Sequence, residues 1–380
     1  MTEFGGIAHK RDRWLSGNER LLTEIDEHAR SRYGLYFTEG EPLVPGALRG
    51  PVEVDYWSIS YRLAFRERSV FIKIPKLDMY QADIQSILRD PRARESAQTE
   101  FNGFTQLYSI RDWPEGCSAV RPLEYESSRN AIITEFVPSE DLFRMCRYAS
   151  TRGRSIFGPA SRRVHDSLRR CGAWLHHFQQ AHGRQGKVLV TSEQLLSDIK
   201  VWSREIRTLC VRPAVVDRTI AELERSQWSE EMERARTCEG FEVRNIIVDR
   251  DGTIRLVDPG KLSWGSGLED VAHFLVSLTM LYWGTPALWF GITGSRSYRR
   301  SFLDGWAPGG VSFKPATIAW FETRELFRQW ADAYRVVSRK PYSSALRRVL
   351  RAVYVDAFFL NRIARAASRA CEAFKPGVWK

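Results

Sequence analysis

Residues 238–260, CEGFEVRNIIVDRDGTIRLVDPG, constrain this chain more tightly than any other stretch. Ile246-Ile247-Val248 is apolar and β-branched, Asp251-Gly252 carries the chemistry of a tight turn, and residues 254–257 return as a second strand. One polar residue stands at each open end, Asn245 before the first strand and Asp258 after the second. A hairpin would present both at the same end, where amide and carboxylate oxygens are ligands suited to Mg²⁺. The plainer reading of each alone is a side chain that caps a turn.

With 380 residues, 43% of them hydrophobic, the chain can bury a large core and is expected to form two lobes. Its six cysteines are scattered with no C-x-x-C pair, so a disulfide framework or zinc site is not expected, and reduced thiols in the cytoplasm fit. A net charge of +11 suits polyanionic partners, either nucleotide phosphates, anionic glycans or lipids, or nucleic acid; a merely solvated basic surface explains it equally. The N-terminal residues lack the apolar run of a signal peptide. Residues 274–294 are apolar and uncharged, but Gly284, Thr285 and Pro286 split them into pieces too short to span a bilayer. A buried helix followed by a loop is expected there. Leu281-Tyr282-Trp283 and Leu288-Trp289-Phe290 leave open a peripheral contact with the inner membrane face.

Patterning divides the chain into an N-terminal extension (1–50), a β-rich lobe (51–137) and a helical lobe (138–380) that contains the hairpin region 238–260 and Arg-rich C-terminal helices. The extension is helical over 18–32 and closes in a Pro/Gly-rich turn. Strands are predicted at 52–63, 69–74, 119–125 and 131–137, with one helix at 93–109. Beyond Pro138, helices are predicted at 161–182, 192–209, 215–236, 269–281 and 323–374. The expected class is α+β, with ligand sites in a cleft between a small antiparallel lobe and a larger, mainly helical one.

Phosphoryl transfer asks a protein for cations on the phosphates, a held Mg²⁺ and a positioned hydroxyl. Candidates occur in a matching order. Lys73 is a lone charge in the apolar strand Val70-Phe71-Ile72-Lys73-Ile74, readable also as an outward-facing lysine. Glu100, with Glu95 as its rival, lies on the next helix and is placed to pair with it; either is otherwise a solvated helix charge. The strand Ile132 to Val137 contains Glu135 and ends at the predicted lobe junction, where its backbone is placed to meet an adenine or simply to link the lobes.

Four local patterns carry a resemblance: VFIKIPK, IITEFVPSEDLF, GAWLHHFQQAH, and NIIVDRDGTIRLVDPGK followed by LEDVAHF. Over roughly residues 52–278 the chain resembles the aminoglycoside phosphotransferase and choline kinase-like branch of the protein kinase superfamily. The resemblance implies a bilobal protein kinase-like fold binding ATP and Mg²⁺, with Asn245 and Asp258 holding the metal. It further implies Lys73 on the α/β phosphates, Glu100 orienting that lysine, and Asp270 anchoring a helix. Two departures follow. Where the family has His-Gly-Asp the chain has Cys238-Glu239-Gly240, which leaves Glu239 and Glu242 as candidate substitute bases. The stretch expected to cover phosphates, residues 55–61, contains Ser58 and Ser60 and no glycine.

The expected function is an ATP-dependent phosphotransferase acting on a hydroxyl of a small molecule or glycan. The alternative is a catalytically inactive, kinase-fold protein that binds nucleotide or a partner. A nucleic-acid-binding reading rests on charge alone, from Arg335, Arg339, Arg347, Arg348, Arg351, Arg362, Arg365 and Arg369. The same segment has an apolar side (Ala352, Val355, Phe358, Phe359, Ile363) suited to an anionic membrane surface. Thirteen tryptophans suit either sugar stacking or the core. The acceptor pocket is expected among residues 191–236 and the C-terminal segment.

Overall fold

The structure is a computed structural model. It describes residues 4–37, 48–55, 57–77, 83–151, 159–181, 186–281, 283, 294–309, 315–339 and 343–372. The chain divides into two compact units, one formed by Met1–Arg111, Ala119–Pro138 and Asp258–Lys261, the other by Asp112–Ser118, Ser139–Val257 and Leu262–Lys380.

The first unit opens with helix α1 (Phe4–Ser31) and the single turn α2 (Tyr33–Tyr36). Strands β1 (Leu48–Arg49), β2 (Glu53–Val54), β3 (Ser58–Ala64) and β4 (Ser69–Pro75) follow, then helices α3 (Ile84–Arg89) and α4 (Pro91–Ser109), and strands β5 (Pro122–Glu126) and β6 (Ala131–Glu135). The sheet order is β1-β3-β4-β6-β5, with β2 also on β3, and all pairings are antiparallel. Ile59, Leu63, Val70, Ile72 and Ile74 bury against Leu22, Ile25 and Ala29 of α1 and Ile84 and Ile87 of α3. The helix starts are chemically specified: Asp83 accepts from the backbone N–H of Gln85 and Ser86, and Asp90 from that of Arg92 with Pro91 at the first turn. Helix α3 lies outside the sequence expectation of a single helix in this lobe.

In the second unit, β7 (Ser139–Asp141), α5 (Leu142–Thr151), α6 (Pro159–Ala181), β8 (Lys187–Thr191), α7 (Ser192–Leu209), α8 (Pro213–Glu224) and β9 (Ser229–Cys238) come first. The hairpin β10 (Ile246–Asp249) and β11 (Ile254–Leu256) comes next, followed by β12 (Leu262–Ser266) and α9 (Leu268–Met280). Helices α10 (Gly294–Trp306), α11 (Pro315–Arg339), α12 (Ser344–Leu350) and α13 (Ala357–Glu372) complete it. Aromatic rings form its core: Trp174 stacks between Trp113 and Phe241, and Phe274 stacks on Phe302. Helices α6 and α10 touch backbone to backbone, because a Cβ at Gly172 would strike the Phe302 carbonyl and one at Gly305 the Arg169 carbonyl.

The helix expected over 215–236 is corrected here. Helix α8 stops at Glu224, and Ser229–Cys238 is a strand between β8 and β12. Its charged residues look helical by composition. Strand β8 pairs with its first half, Ser229–Glu233, and β12 with its second, Arg234–Cys238, and that pairing decides the outcome.

Trp174, Trp320 and Trp330 are fully buried, as core residues rather than sugar platforms. Val355, Phe358, Phe359 and Ile363, the apolar side of the C-terminal segment, are likewise buried, with Phe359 stacked on Trp330. A π-helical turn at Arg351–Asp356 turns Asp356 inward, where it accepts from the Val211 N–H and from Trp330 and Tyr334. Several C-terminal arginines are engaged inside the unit: Arg335 on Glu205, Arg369 on Glu322, and Arg362 over the Phe358 ring. Among the described residues no helix is long and apolar enough to cross a membrane. Leu281 is buried and Trp283 Nε1 donates to the Tyr354 carbonyl; Tyr282 and residues 288–290 lie outside the described residues.

Candidate functional site

In the first unit Lys73, Glu100 and Asp258 meet. Lys73 Nζ donates to Glu100 Oε1 at 2.8 Å and to Asp258 Oδ2 at 2.7 Å. Strand β4 supplies the lysine, the buried face of α4 the glutamate, and the segment after the hairpin the aspartate. Glu95 is exposed, so the rivalry between the two glutamates resolves to Glu100. Burial works against the Lys73 ammonium, but attraction to Asp258 and then Glu100 outweighs it and holds the lysine charged. Glu100 is pushed up to about 7 by burial and by the neighbouring Asp258 carboxylate, despite Lys73. Gly103, one turn beyond Glu100, makes room for this arrangement. A Cβ there would lie 3.0 Å from the Gly260 carbonyl oxygen and 3.0 Å from Pro259 Cγ. Gly260 itself adopts φ 58°, which favours glycine as the chain leaves Asp258.

Two expectations change in this unit. Ser60 follows the strand predicted over 52–63 rather than a phosphate-covering loop, and is a buried residue of β3 directly opposite Lys73. The turn before β3 is short, with the Asp55 N–H donating to the Ser58 carbonyl at 2.9 Å, so strand pairing takes most of the expected phosphate-covering segment. Ser58 stands at the first position of β3. At the end of β6, the Glu135 N–H donates to the Arg121 carbonyl and the Phe136 N–H to the Ser69 carbonyl. The Glu135 carboxylate in turn accepts from the Arg121 N–H at 3.0 Å. Sheet pairing therefore already engages the Glu135 N–H.

In the second unit, the loop between β9 and β10 is strapped onto α9. The Cys238 N–H donates to Asp270 Oδ1 at 3.0 Å, and the Val243 N–H to Ser277 Oγ at 3.0 Å. Burial pushes Asp270 up to about 8, against the hydrogen bonds from Cys238 and Gln179. Inside the loop, Asn245 Nδ2 donates to the Gly240 carbonyl at 3.0 Å, and the Asn245 carbonyl accepts from the Val257 N–H at 2.9 Å. An Asn side-chain oxygen and an Asp carboxylate are each hard-oxygen donors of the kind that suit Mg²⁺. Gly240 is not among the glycines at positive φ, so its backbone makes no demand for glycine.

A buried charge network, absent from the sequence expectations, lies beside the loop. His273, on α9 between Asp270 and Ser277, has Nδ1 at 2.9 Å from Glu325 Oε1 and Nε2 at 3.9 Å from Glu242 Oε2. Arg328 donates twice to Glu325, at 2.8 and 2.7 Å. Burial opposes charging of His273, Glu325 and Arg328 alike. Their mutual attraction outweighs it, raising His273 and Arg328 and holding Glu325 well below the usual carboxylate range. Glu242 thus faces an imidazole, whereas Glu239 is exposed and its charge adds to those that raise Arg328. The only sequence signal was one histidine in LEDVAHF; its partners lie about fifty residues away on α11.

No protein-family model matches the sequence, and no curated protein matches it. Solved structures do. A putative aminoglycoside phosphotransferase from Ralstonia eutropha superposes with TM-score 0.52 at 13% identity, covering 90% of this chain and 97% of that one. A choline/ethanolamine kinase family protein from Mesorhizobium loti gives TM-score 0.52 at 11% identity, covering 91% and 98%. The chain therefore has the protein kinase-like fold of these phosphotransferase structures.

Proposed function

We propose that this chain is an ATP-dependent phosphotransferase acting on a hydroxyl of a small molecule, with Mg²⁺ held by Asn245 and Asp258. The observation that carries the reading is Lys73 gripped by both Glu100 and Asp258. A buried ammonium between two carboxylates is costly to assemble for structure alone, and it is the arrangement that fixes a cation for phosphate oxygens. In this reading residues 51–137 form the nucleotide lobe and 138–380 the acceptor lobe. Lys73 neutralises phosphate charge, Glu100 orients it, and Ser58 and Ser60 lie on the strand beside it. Bound Mg²⁺ would supply charge neutralisation at the phosphates.

Proton acceptance from the hydroxyl falls to Glu242 or Glu239, since position 240 is glycine. A positioned base is worth roughly 10²–10⁴-fold in rate, so an enzyme lacking one is slow rather than silent. A second reading, nucleotide binding without turnover, is favoured by Gly240 together with the Asn245 amide closing onto its carbonyl.

Calorimetry with ATP, with and without Mg²⁺, tests the site on wild type and Asp258→Asn. Metal-dependent binding lost in the variant is expected; no binding by wild type refutes both readings. Gly240→Asp then separates turnover from binding, with a rise of roughly 10²-fold or more expected if the chemistry lacks only its base. Turnover that survives both Glu242→Gln and Glu239→Gln unchanged removes those two residues as bases.

A further inference from the structure

Within the second unit a solvent-open cavity of about 680 Å³ is lined by Asp141, Phe143, Arg144, Arg147, Tyr148 and Arg244. Three guanidinium groups and one carboxylate line it, a net excess of positive charge. Asp141 Oδ1 accepts from the Phe143 N–H at 2.6 Å and the Arg144 N–H at 3.3 Å, closing the first turn of α5, and its single charge is shared between Arg144 and Arg244. The next acid along, Glu140, pairs with Arg163 at 3.4 Å. The Phe143 ring organises two of the arginines, with Arg244 at 4.8 Å and Arg147 at 5.6 Å from its centroid. Stacking of that kind restrains a guanidinium in place, and the N–H fork of Arg244 suits a planar, bidentate anion.

The cavity also has a fixed address. Arg244 immediately precedes Asn245 in the chain, and β7 pairs with β10 so that Asp141 stands opposite Ile247. Two independent elements, α5 and the loop before β10, therefore bring their arginines together next to the proposed metal ligand Asn245. We propose that this cavity binds the anionic group, phosphate or carboxylate, of a hydroxyl-bearing small-molecule acceptor. The proposal rests on the phosphotransferase reading and names its substrate class. A cationic acceptor would meet like charge here, and a neutral polyol would carry no charge to match the cavity's positive excess.

Calorimetry on the full chain without nucleotide uses glucose 6-phosphate, glucuronate, glucose and choline as probes. At least one of the two anions is expected to bind while glucose and choline do not. Arg144→Gln with Arg147→Gln should weaken that binding roughly tenfold to a hundredfold, as expected for loss of charge-assisted hydrogen bonds. The Lys versions of both should lose less, and all variants should bind Mg-ATP as wild type does. The proposal is overturned if neither anion binds, if glucose or choline binds as well as the anions, or if the Gln variant binds the anion unchanged. A parallel loss of Mg-ATP affinity in the Gln variant also overturns it, because the cavity would then serve nucleotide phosphates. Anion binding without any Mg-ATP binding would leave the cavity assignment standing and sink the phosphotransferase reading instead.

Discussion

Replacing Lys73 by methionine keeps the length of the side chain and removes its charge, leaving Glu100 and Asp258 without their shared cation. At an effective dielectric of about 20, an ion pair at 2.8 Å attracts by about 6 kcal/mol. Dehydrating the two ions costs several kcal/mol each, so the intact pair contributes little net stability. Breaking it is another matter, because the Glu100 side chain is only 8% exposed and cannot recover its hydration. Removing one partner of such a pair costs about 3–5 kcal/mol. Asp258, with 40% of its side chain exposed, is screened by water and adds at most about 1 kcal/mol.

The deficit should also depend on pH. Glu100 has a folded-state value above its unfolded one, so its contribution is fully present below about pH 4.5 and fades as pH rises through about 7. Without Lys73 the folded value moves higher still, and the variant should lose stability more steeply than wild type between those limits. Adding Glu100→Gln to Lys73→Met should return most of the loss. Hydrogen exchange of the β4 and α4 amides in increasing urea measures the opening of this unit directly. A deficit under about 1 kcal/mol, a flat pH dependence, or no rescue by Glu100→Gln would refute the argument.

Three further outcomes are expected. Glu325→Gln removes the carboxylate that raises His273; wild type should lose this pair's stabilisation as pH rises past about 6.5, and the variant should lack that slope in urea titrations. Because Glu325 is itself depressed, its share in wild type is present above about pH 4.5 and disappears only on strong acidification. Gly103→Val forces its side chain into Pro259 and Gly260, so it should destabilise the first unit by about 1–3 kcal/mol and weaken Mg-ATP binding by displacing Asp258; unchanged calorimetry would count against that contact. Gly305→Ala places a Cβ on the Arg169 carbonyl, and α6 and α10 must separate; a melting temperature within about 2 °C of wild type would show that they pack otherwise.

Local chemistry made much of the chain legible. The hairpin over 246–256 follows from β-branched strands around Asp251-Gly252, and Gly252 adopts φ 86° as such a turn requires. Helix α7 follows from its capping box, Thr191 with Gln194. Where the pattern misled, the deciding partner was distant in sequence. Ser229–Cys238 became a strand because β8 pairs with its first half and β12 with its second.

The candidate site divides in the same way. Sequence alone nominated Lys73, Asn245 and Asp258 through their order along the chain and the resemblance they carry together, since each by itself has a plainer reading. Only the tertiary structure chose Glu100 over Glu95, since helix periodicity permits both and burial against β4 admits one. Only the tertiary structure set His273 against Glu325, or gathered Arg144, Arg147 and Arg244 around one ring. Ion pairs and anion sites depend on distance through space, which residue order does not encode until helices and strands have packed.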